Sequence, residues 1–459
     1  MSQKDEKTHA IVGRQAIVIG AGIAGLTAAR ALADTFEQVI VLERDELPDS
    51  PTSRAGVPQG KQPHALLASG LEGLLELFPG FNRDLDEAGA VYFNAGVDAL
   101  FEYADQKPFP KRDLGISVYS ATRPLMELAI RRRVKQFTNI SLRAGHRVLA
   151  LTGAPDGSAV TGVRYTDASG KTETLPADLV VDASAHGAPT LSFLEATGRS
   201  LPEKTIIGGD VRYCSTSIDG SRMDLKDYVT VVTYAKAPES ARFGYLIPVE
   251  NGLCLLLLVG RGNDVPPAEA NALRAYAKDL ATPTIYNAIK DAELVRDIHR
   301  YGVPESAWSH FDRLDDFPRR LLPVGDAICR FNPIYGQGMT VAIREAVLLR
   351  RLLEDQATLP SALDTIGTTF QAAASAVIQA PWEISALTDF IYPQTTGERP
   401  PDLEREIQFQ AGLQLLAMRD PAVHKLMFEV QHLIKPPEML NDPDLVRRVE
   451  EEMTATASR

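Results

Sequence analysis

One stretch near the start limits what this chain can fold into: "QAIVIGAGIAGLTAARALADTFEQVIVLER", residues 15–44. An apolar, β-rich run meets three glycines, an Ala- and Leu-rich helical pattern follows, and a second apolar run closes the unit. That order predicts strand, tight turn, helix and parallel strand. Gly20, Gly22 and Gly25 stand in G-x-G-x-x-G register, with Ile23 and Ala24 inside the turn. The first glycine makes the sharp bend, the second admits a pyrophosphate against the backbone, and the third lets helix and strand pack closely. The helix N-terminus adds free N–H groups and a positive dipole end. The next strand ends in Glu43, whose carboxylate can accept from a ribose hydroxyl, with Arg44 after it. An acid there suits FAD or NAD and opposes the 2′-phosphate of NADP.

A second stretch decides between the two: "LLPVGDAICRFNPIYGQGMTVAIREA", residues 321–346. A nicotinamide dinucleotide needs only the first turn. FAD carries a ribityl chain and a three-ring head beyond its pyrophosphate, so it needs a second anchor. Gly325 and Asp326 end an apolar strand, and a carboxylate there can accept from ribityl hydroxyls. Pro333 turns the chain, and Gly336 and Gly338 let the N–H groups of Gly338 and Met339 approach the pyrimidine edge of a flavin. The helix that follows aims its positive end at that edge.

Between these stretches, residues 46–70 are rich in Pro, Ser and Gly and predict a long surface loop running into a helix. "TRPLMELAIRRRVKQ" opens with a capping Thr and continues as a helix, with Arg131, Arg132 and Arg133 expected on a solvated face. Near residue 200 the pattern changes to four strand-like runs. The expected fold class is α/β (α+β): a Rossmann-like domain interleaved with an antiparallel-sheet substrate domain and a helical C-terminal region. The expected boundaries are 13–200 and 311–360 for the two parts of the first domain, 201–310 for the sheet and 361–459 for the helices.

Composition removes other classes. The net charge of −12 gives no support to nucleic-acid binding. The longest apolar run, "LCLLLLVG", is too short to span a bilayer, so no transmembrane segment is expected. Three cysteines, Cys214, Cys254 and Cys329, are widely separated. They show no metal-ligand spacing and suit a reducing cytoplasm; no metal site is expected.

With both glycine motifs in place, the chain resembles the FAD-dependent monooxygenase superfamily with the p-hydroxybenzoate hydroxylase fold. "RAGVPQGKQPHALLASGLEGLLELFPG", "RPLMELAIRRRV", "GDAICRFNPIYGQGMT" and "APWEISALTDFIYP" resemble the bacterial flavin epoxidases of polyether-antibiotic biosynthesis. The resemblance implies that Gly20, Gly22, Gly25, Glu43 and Arg44 hold the ADP half of FAD. It puts Arg123 near the phosphates or the ring, Val148 against adenine, and Gly325, Asp326, Pro333, Gly336, Gly338 and Met339 along the ribityl chain and ring. Asp182 matches the acid of a shared flavin and NAD(P)H element. The later arginine of that element is absent here, Pro189 and Thr190 standing in its region. NAD(P)H and a separate flavin reductase therefore both stay open as electron source.

The chemistry implied by the resemblance is transfer of the distal oxygen of a flavin C4a-hydroperoxide, formed from O2, to a lipophilic polyketide or terpenoid-like molecule. Epoxidation and hydroxylation are both open, as is the oligomeric state. His64 is the one candidate catalytic side chain. By strand alternation Phe243 and Tyr245 share a face and are candidate substrate contacts. Three rival readings use the same cofactor: a double-bond reductase of the geranylgeranyl reductase type, a halogenase, and a flavin-binding sensor. The halogenase signature Trp-x-Trp-x-Ile-Pro has no counterpart, since the chain holds only Trp308 and Trp382.

Overall fold

A computed structural model describes residues 10–223, 225 and 227–457. The first glycine motif folds as its pattern dictates. Strand Gly13–Ile19 runs into helix Ile23–Leu32 and out to strand Phe36–Leu42, which pairs parallel to the first. The central sheet has five parallel strands in the order Leu321–Pro323, Leu179–Asp182, Gly13–Ile19, Phe36–Leu42, Ile140–Arg143. Helices cover it, so its strands read as continuous apolar runs: Ala16, Ile17, Val18, Val39 and Val41 are wholly buried. Its last strand in chain order, Leu321–Pro323, comes some 300 residues after the first turn. That strand places the second glycine motif beside the first.

The four strand-like runs form one sheet. Its order is His299–Val303, Val211–Asp219, Leu253–Arg261, Phe243–Pro248, Thr230–Thr233, Ala99–Glu102. Pairing is antiparallel except for the last pair, Thr230–Thr233 with Ala99–Glu102, which is parallel. That edge strand comes from the segment expected to belong wholly to the first domain. Beyond 360 come the long helix Ala362–Phe390, an irregular stretch, and helices Leu403–Arg419, Pro421–Gln431 and Pro443–Ala457. Their apolar faces bury Leu413, Val423, Phe428 and Val449 against Phe109, Leu114 and Ile116.

Two local expectations are corrected. Residues 46–70 are not simply a surface loop: Arg54, Val57 and Gln62 are buried. The three arginines do not form a solvated face either. Arg132 is exposed, but Arg131 is only 2% exposed and faces Glu127 at 3.7 Å. A guanidinium among carboxylates can be buried where an unpaired one cannot.

Candidate active site

One continuous cavity of about 960 Å³ runs from the first glycine turn, past the second, and under the six-stranded sheet. At its first end lie Gly20, Gly22, Ile23, Ala24, Glu43 and Arg44. Gly20 has φ +101° and makes the bend. A Cβ on Gly22 would meet no atom within 4 Å, whereas one on Gly25 would lie 1.9 Å from the Gly20 carbonyl oxygen. The second glycine thus borders open space and the third packs helix on strand. Gly25 itself does not line the cavity. Helix Ile23–Leu32 has no side-chain cap, leaving the N–H groups of its first turn for a ligand.

Glu43 is fixed by its neighbours. Its Oε2 accepts from the Ala21 N–H at 2.7 Å, its Oε1 from the Asp45 N–H at 3.0 Å, and Arg54 lies 3.2 Å away. A carboxylate has about four acceptor directions, so one remains for a ribose hydroxyl. Arg54 also pairs with Asp45 at 3.2 Å and Glu127 at 2.8 Å, making it the centre of a buried charge network. Val148 lines the same end from strand Arg147–Gly153.

Mid-cavity stand Arg123, Asp326, Pro333, Gly336, Gly338 and Met339. Thr122 caps the helix that begins with Arg123, accepting from the Leu125 N–H at 3.4 Å. The buried Nε of Arg123 has no protein partner. Asp326 opens onto the cavity while protein encloses it. Burial raises its pKa, and Arg123 and Arg330 oppose that rise. Gly325 turns with φ +62°, and its N–H donates to the buried Glu345 at 2.6 Å; Gly325 lies behind the cavity wall. Neither Gly336 nor Gly338 has any atom within 4 Å of a built Cβ. Helix Gly338–Gln356 begins without a side-chain cap.

Asp182 is not brought to the cavity. It is fully buried and accepts from the N–H groups of Ser184 and Thr190 at 3.0 Å each, and from the Thr190 hydroxyl at 2.7 Å. It ties down the segment after its strand, and Ala183 and Ser184 line the cavity in its place.

The far arm is aromatic. Phe243 and Tyr245 line it as expected, with Phe101, Tyr103 and Tyr234, which the sequence did not single out. The rings of Tyr103 and Tyr234 stack at 4.5 Å and 4°. Phe428, Gln431 and His432 close the arm from the C-terminal helices. His64 lines it too. Its Nδ1 is 2.8 Å from the Gln62 carbonyl, and burial, aided by Arg123, pushes its pKa down to about 3.

These residues fit FAD. Two uncapped helix ends, three glycines bordering open space, a carboxylate with spare acceptor capacity and an unpartnered arginine edge form a cradle for a long anionic ligand with a polar ring. The residues missed by sequence reasoning are Arg54, which opens the stretch "RAGVPQGKQPHALLASGLEGLLELFPG", and Tyr103, Tyr234, Phe428 and His432, which carry no local motif. Only their distant partners give them a place.

Comparison with known proteins points to the same cofactor. The model of the family described as "FAD binding domain" matches residues 14–380. Protein Rv3254 of Mycobacterium tuberculosis (strain ATCC 25618 / H37Rv) is 31% identical over 410 residues, covering 84% of this chain and 82% of that protein. Squalene epoxidase 4 of Arabidopsis thaliana is 26% identical over 347 residues, 74% of this chain and 61% of that protein. Among solved structures, the flavin-dependent brominase Bmp2 superposes with a TM-score of 0.68 at 16% identity, over 97% of this chain and 100% of its own. The tetrameric form of 2-methyl-3-hydroxypyridine-5-carboxylic acid oxygenase gives 0.58 at 18% identity, over 81% and 90%. At such identities the likeness to the solved structures is one of fold.

Proposed function

The chain belongs to the FAD binding domain family and is a flavoprotein oxidoreductase, and on that premise we propose that it is a monooxygenase acting on a lipophilic small molecule. The observation that carries this reading is the continuity of the cavity. One space joins a dinucleotide cradle to an aromatic arm, so a flavin ring and an apolar substrate can meet away from bulk water. When bound, FAD supplies oxygen activation after reduction.

The protein's part is binding, orientation and exclusion of water. Gly22, Ile23 and Ala24 present N–H groups to the pyrophosphate, and Glu43 takes a ribose hydroxyl. Asp326 holds the ribityl hydroxyls, and Gly338 and Met339 present N–H groups to the pyrimidine edge. The uncapped end of helix Gly338–Gln356 favours negative charge at that edge. His64 is neutral at physiological pH and acts as a hydrogen-bonding group of the wall, not as a cationic acid.

Oxygen insertion at an alkene is the favoured outcome, supported by the curated relatives described as squalene epoxidases. Reducing equivalents come from NAD(P)H directly or through a partner flavin reductase. Buried free Cys214, Cys254 and Cys329 suit a reducing compartment, and we place the protein in the cytoplasm. Among the described residues no helix is long and apolar enough to cross a membrane. We keep the division at 13–200, 201–310, 311–360 and 361–459 as the proposed domain organisation, with strand Ala99–Glu102 assigned to the sheet unit.

The test is turnover of the reduced holoprotein under 18O2 with a panel of alkenes and phenols. Products carrying one 18O are expected. Saturated products without 18O would instead favour the double-bond reductase.

A further inference from the structure

Strand register decides which side chains of the six-stranded sheet face the cavity. The parallel pairing of Thr230–Thr233 with Ala99–Glu102 ends at Thr233 opposite Glu102. The next residues, Tyr234 and Tyr103, fall side by side on one face, and the Tyr234 N–H donates to the Glu102 carbonyl at 2.8 Å. Their rings stack at 4.5 Å as a result. On its other side Tyr234 meets Phe243. Antiparallel pairing of Val232 with Tyr245 and of Thr233 with Gly244 sets these two opposite each other, and their rings meet edge-on at 5.8 Å. Phe243 in turn pairs with Val259. Tyr103, Tyr234, Phe243 and Val259 thus form one row across the sheet, and all of them line the cavity.

The row has an apolar end and a polar end. At Val259 the sheet packs against Ile334 of the second glycine loop. Tyr234 stands two strands further on and Tyr103 three. With neighbouring strands about 4.8 Å apart, Tyr234 lies about 10 Å along the row from Val259. The two hydroxyls act on each other. Burial raises the pKa of both; Tyr234 raises that of Tyr103 further by charge and hydrogen bonding, while hydrogen bonding with Tyr103 opposes the rise at Tyr234. Tyr103 is therefore the donor and Tyr234 the acceptor, which leaves the Tyr234 proton free. Among the described residues that proton has no protein acceptor. A buried donor without an acceptor calls for one from a ligand.

We propose that the Tyr234 hydroxyl, backed by Tyr103, donates to a neutral oxygen at one end of an elongated lipophilic substrate, whose chain runs along the row towards the second glycine loop. This rests on the monooxygenase reading and narrows its substrate class. The oxygen belongs to a hydroxyl, ether or carbonyl and lies about 10 Å from the carbon that reacts. A pure hydrocarbon would leave the phenol proton against apolar surface. A carboxylate would be buried without a counter-charge, since no cation acts on either hydroxyl.

The test uses oxidised holoprotein and three C15 isoprenoid probes: farnesol, farnesyl methyl ether, whose oxygen only accepts, and farnesene. Affinities are read from the perturbation of flavin absorbance and from calorimetry. Wild type is expected to bind the alcohol and the ether about tenfold more tightly than the hydrocarbon, the gain of a buried hydrogen bond over an unpaired group. Tyr234→Phe keeps the stacked ring and should shrink that preference to within threefold at full FAD occupancy. Tyr103→Phe leaves Tyr234 its proton and should give an intermediate preference. Turnover of farnesol by reduced holoprotein under 18O2 then tests the spacing, with oxygen expected at the alkene farthest from the hydroxyl. Equal affinity of wild type for all three probes would overturn the inference and leave the lipophilic reading standing. So would a preference that survives Tyr234→Phe, or oxygen placed at the alkene next to the hydroxyl-bearing carbon. Binding of none of the three would contradict both the inference and the lipophilic reading.

Discussion

Arg261 and Asp389 form a buried ion pair that joins the last residue of a sheet strand to the end of the long helix Ala362–Phe390. The Tyr335 hydroxyl donates to the same Asp389 oxygen at 2.6 Å, and the Arg261 guanidinium lies 4.5 Å from the centre of the Tyr392 ring. Sheet, helix and second glycine loop are thereby locked together beside the cavity. Asp389→Asn would leave the Arg261 cation buried without its counter-charge. The expected loss of stability is about 3–5 kcal/mol, read from chemical denaturation, with weaker FAD retention because Tyr335 leads into Gly336 and Gly338. The double variant R261M/D389N should recover part of that stability, since removing the Arg261 cation removes the uncompensated buried charge.

Gly22 and Gly25 separate ligand binding from folding. Gly22 has φ −74°, which alanine adopts freely, and its Cβ would enter open cavity space. Gly22→Ala is expected to leave the melting temperature of the apoprotein unchanged while weakening FAD binding at least tenfold, by blocking the pyrophosphate. Gly25→Ala drives a methyl into the Gly20 carbonyl and should destabilise the apoprotein by about 1–3 kcal/mol or more. Paired melting curves and FAD titrations check both.

Asp326 makes no hydrogen bond to another protein group among the described residues, and burial raises its pKa. Its removal takes a counter-charge from Arg123, which keeps Glu127, so the cost to the fold should be small. Asp326→Ala is expected to melt close to wild type as apoprotein, yet to bind FAD about 10- to 100-fold more weakly, as ribityl hydroxyls lose a charged acceptor. Undiminished FAD affinity would take this residue out of the cofactor site.

Glu345 gives a pH dependence with a definite sign. Burial raises its pKa to about 8; the Gly325 N–H opposes the rise and Asp326 adds to it. Above the ordinary glutamate range the unfolded chain has released a proton that the folded chain retains. Stability contributed here is therefore fully present below about pH 4.5 and lost as pH rises towards 8, by up to about 1.4 kcal/mol per pH unit. Glu345→Gln should flatten that slope in the apoprotein, measured by denaturant titration from pH 5 to 8.

The parts of the fold legible in the sequence are those set by local rules. Gly20 with φ +101°, the apolar run before it, and the Thr122 cap each require only their near neighbours. The central sheet and both glycine turns follow from such signals. Other features depend on partners far along the chain. Arg54 is buried because Glu127 lies 73 residues away, and Arg131 is buried by the same carboxylate. Strand Ala99–Glu102 joins the six-stranded sheet by pairing parallel to Thr230–Thr233, which no hairpin pattern announces. His432 reads as one more helical residue until Ala68 fixes its tautomer. Asp182, by contrast, was legible as an acid at a strand end, and its buried contacts turn it away from the cavity to Ser184 and Thr190.

The central claim is that the cavity shelters a flavin while it activates oxygen beside an apolar substrate. The most direct measurement is anaerobic reduction of the FAD-loaded protein, then rapid mixing with oxygenated buffer, with and without a bound lipophilic alkenol, under a diode array. The account predicts a transient spectrum distinct from both reduced and oxidised flavin, with a lifetime altered by the ligand. A direct return from reduced to oxidised flavin, releasing stoichiometric hydrogen peroxide whether or not ligand is present, would contradict it.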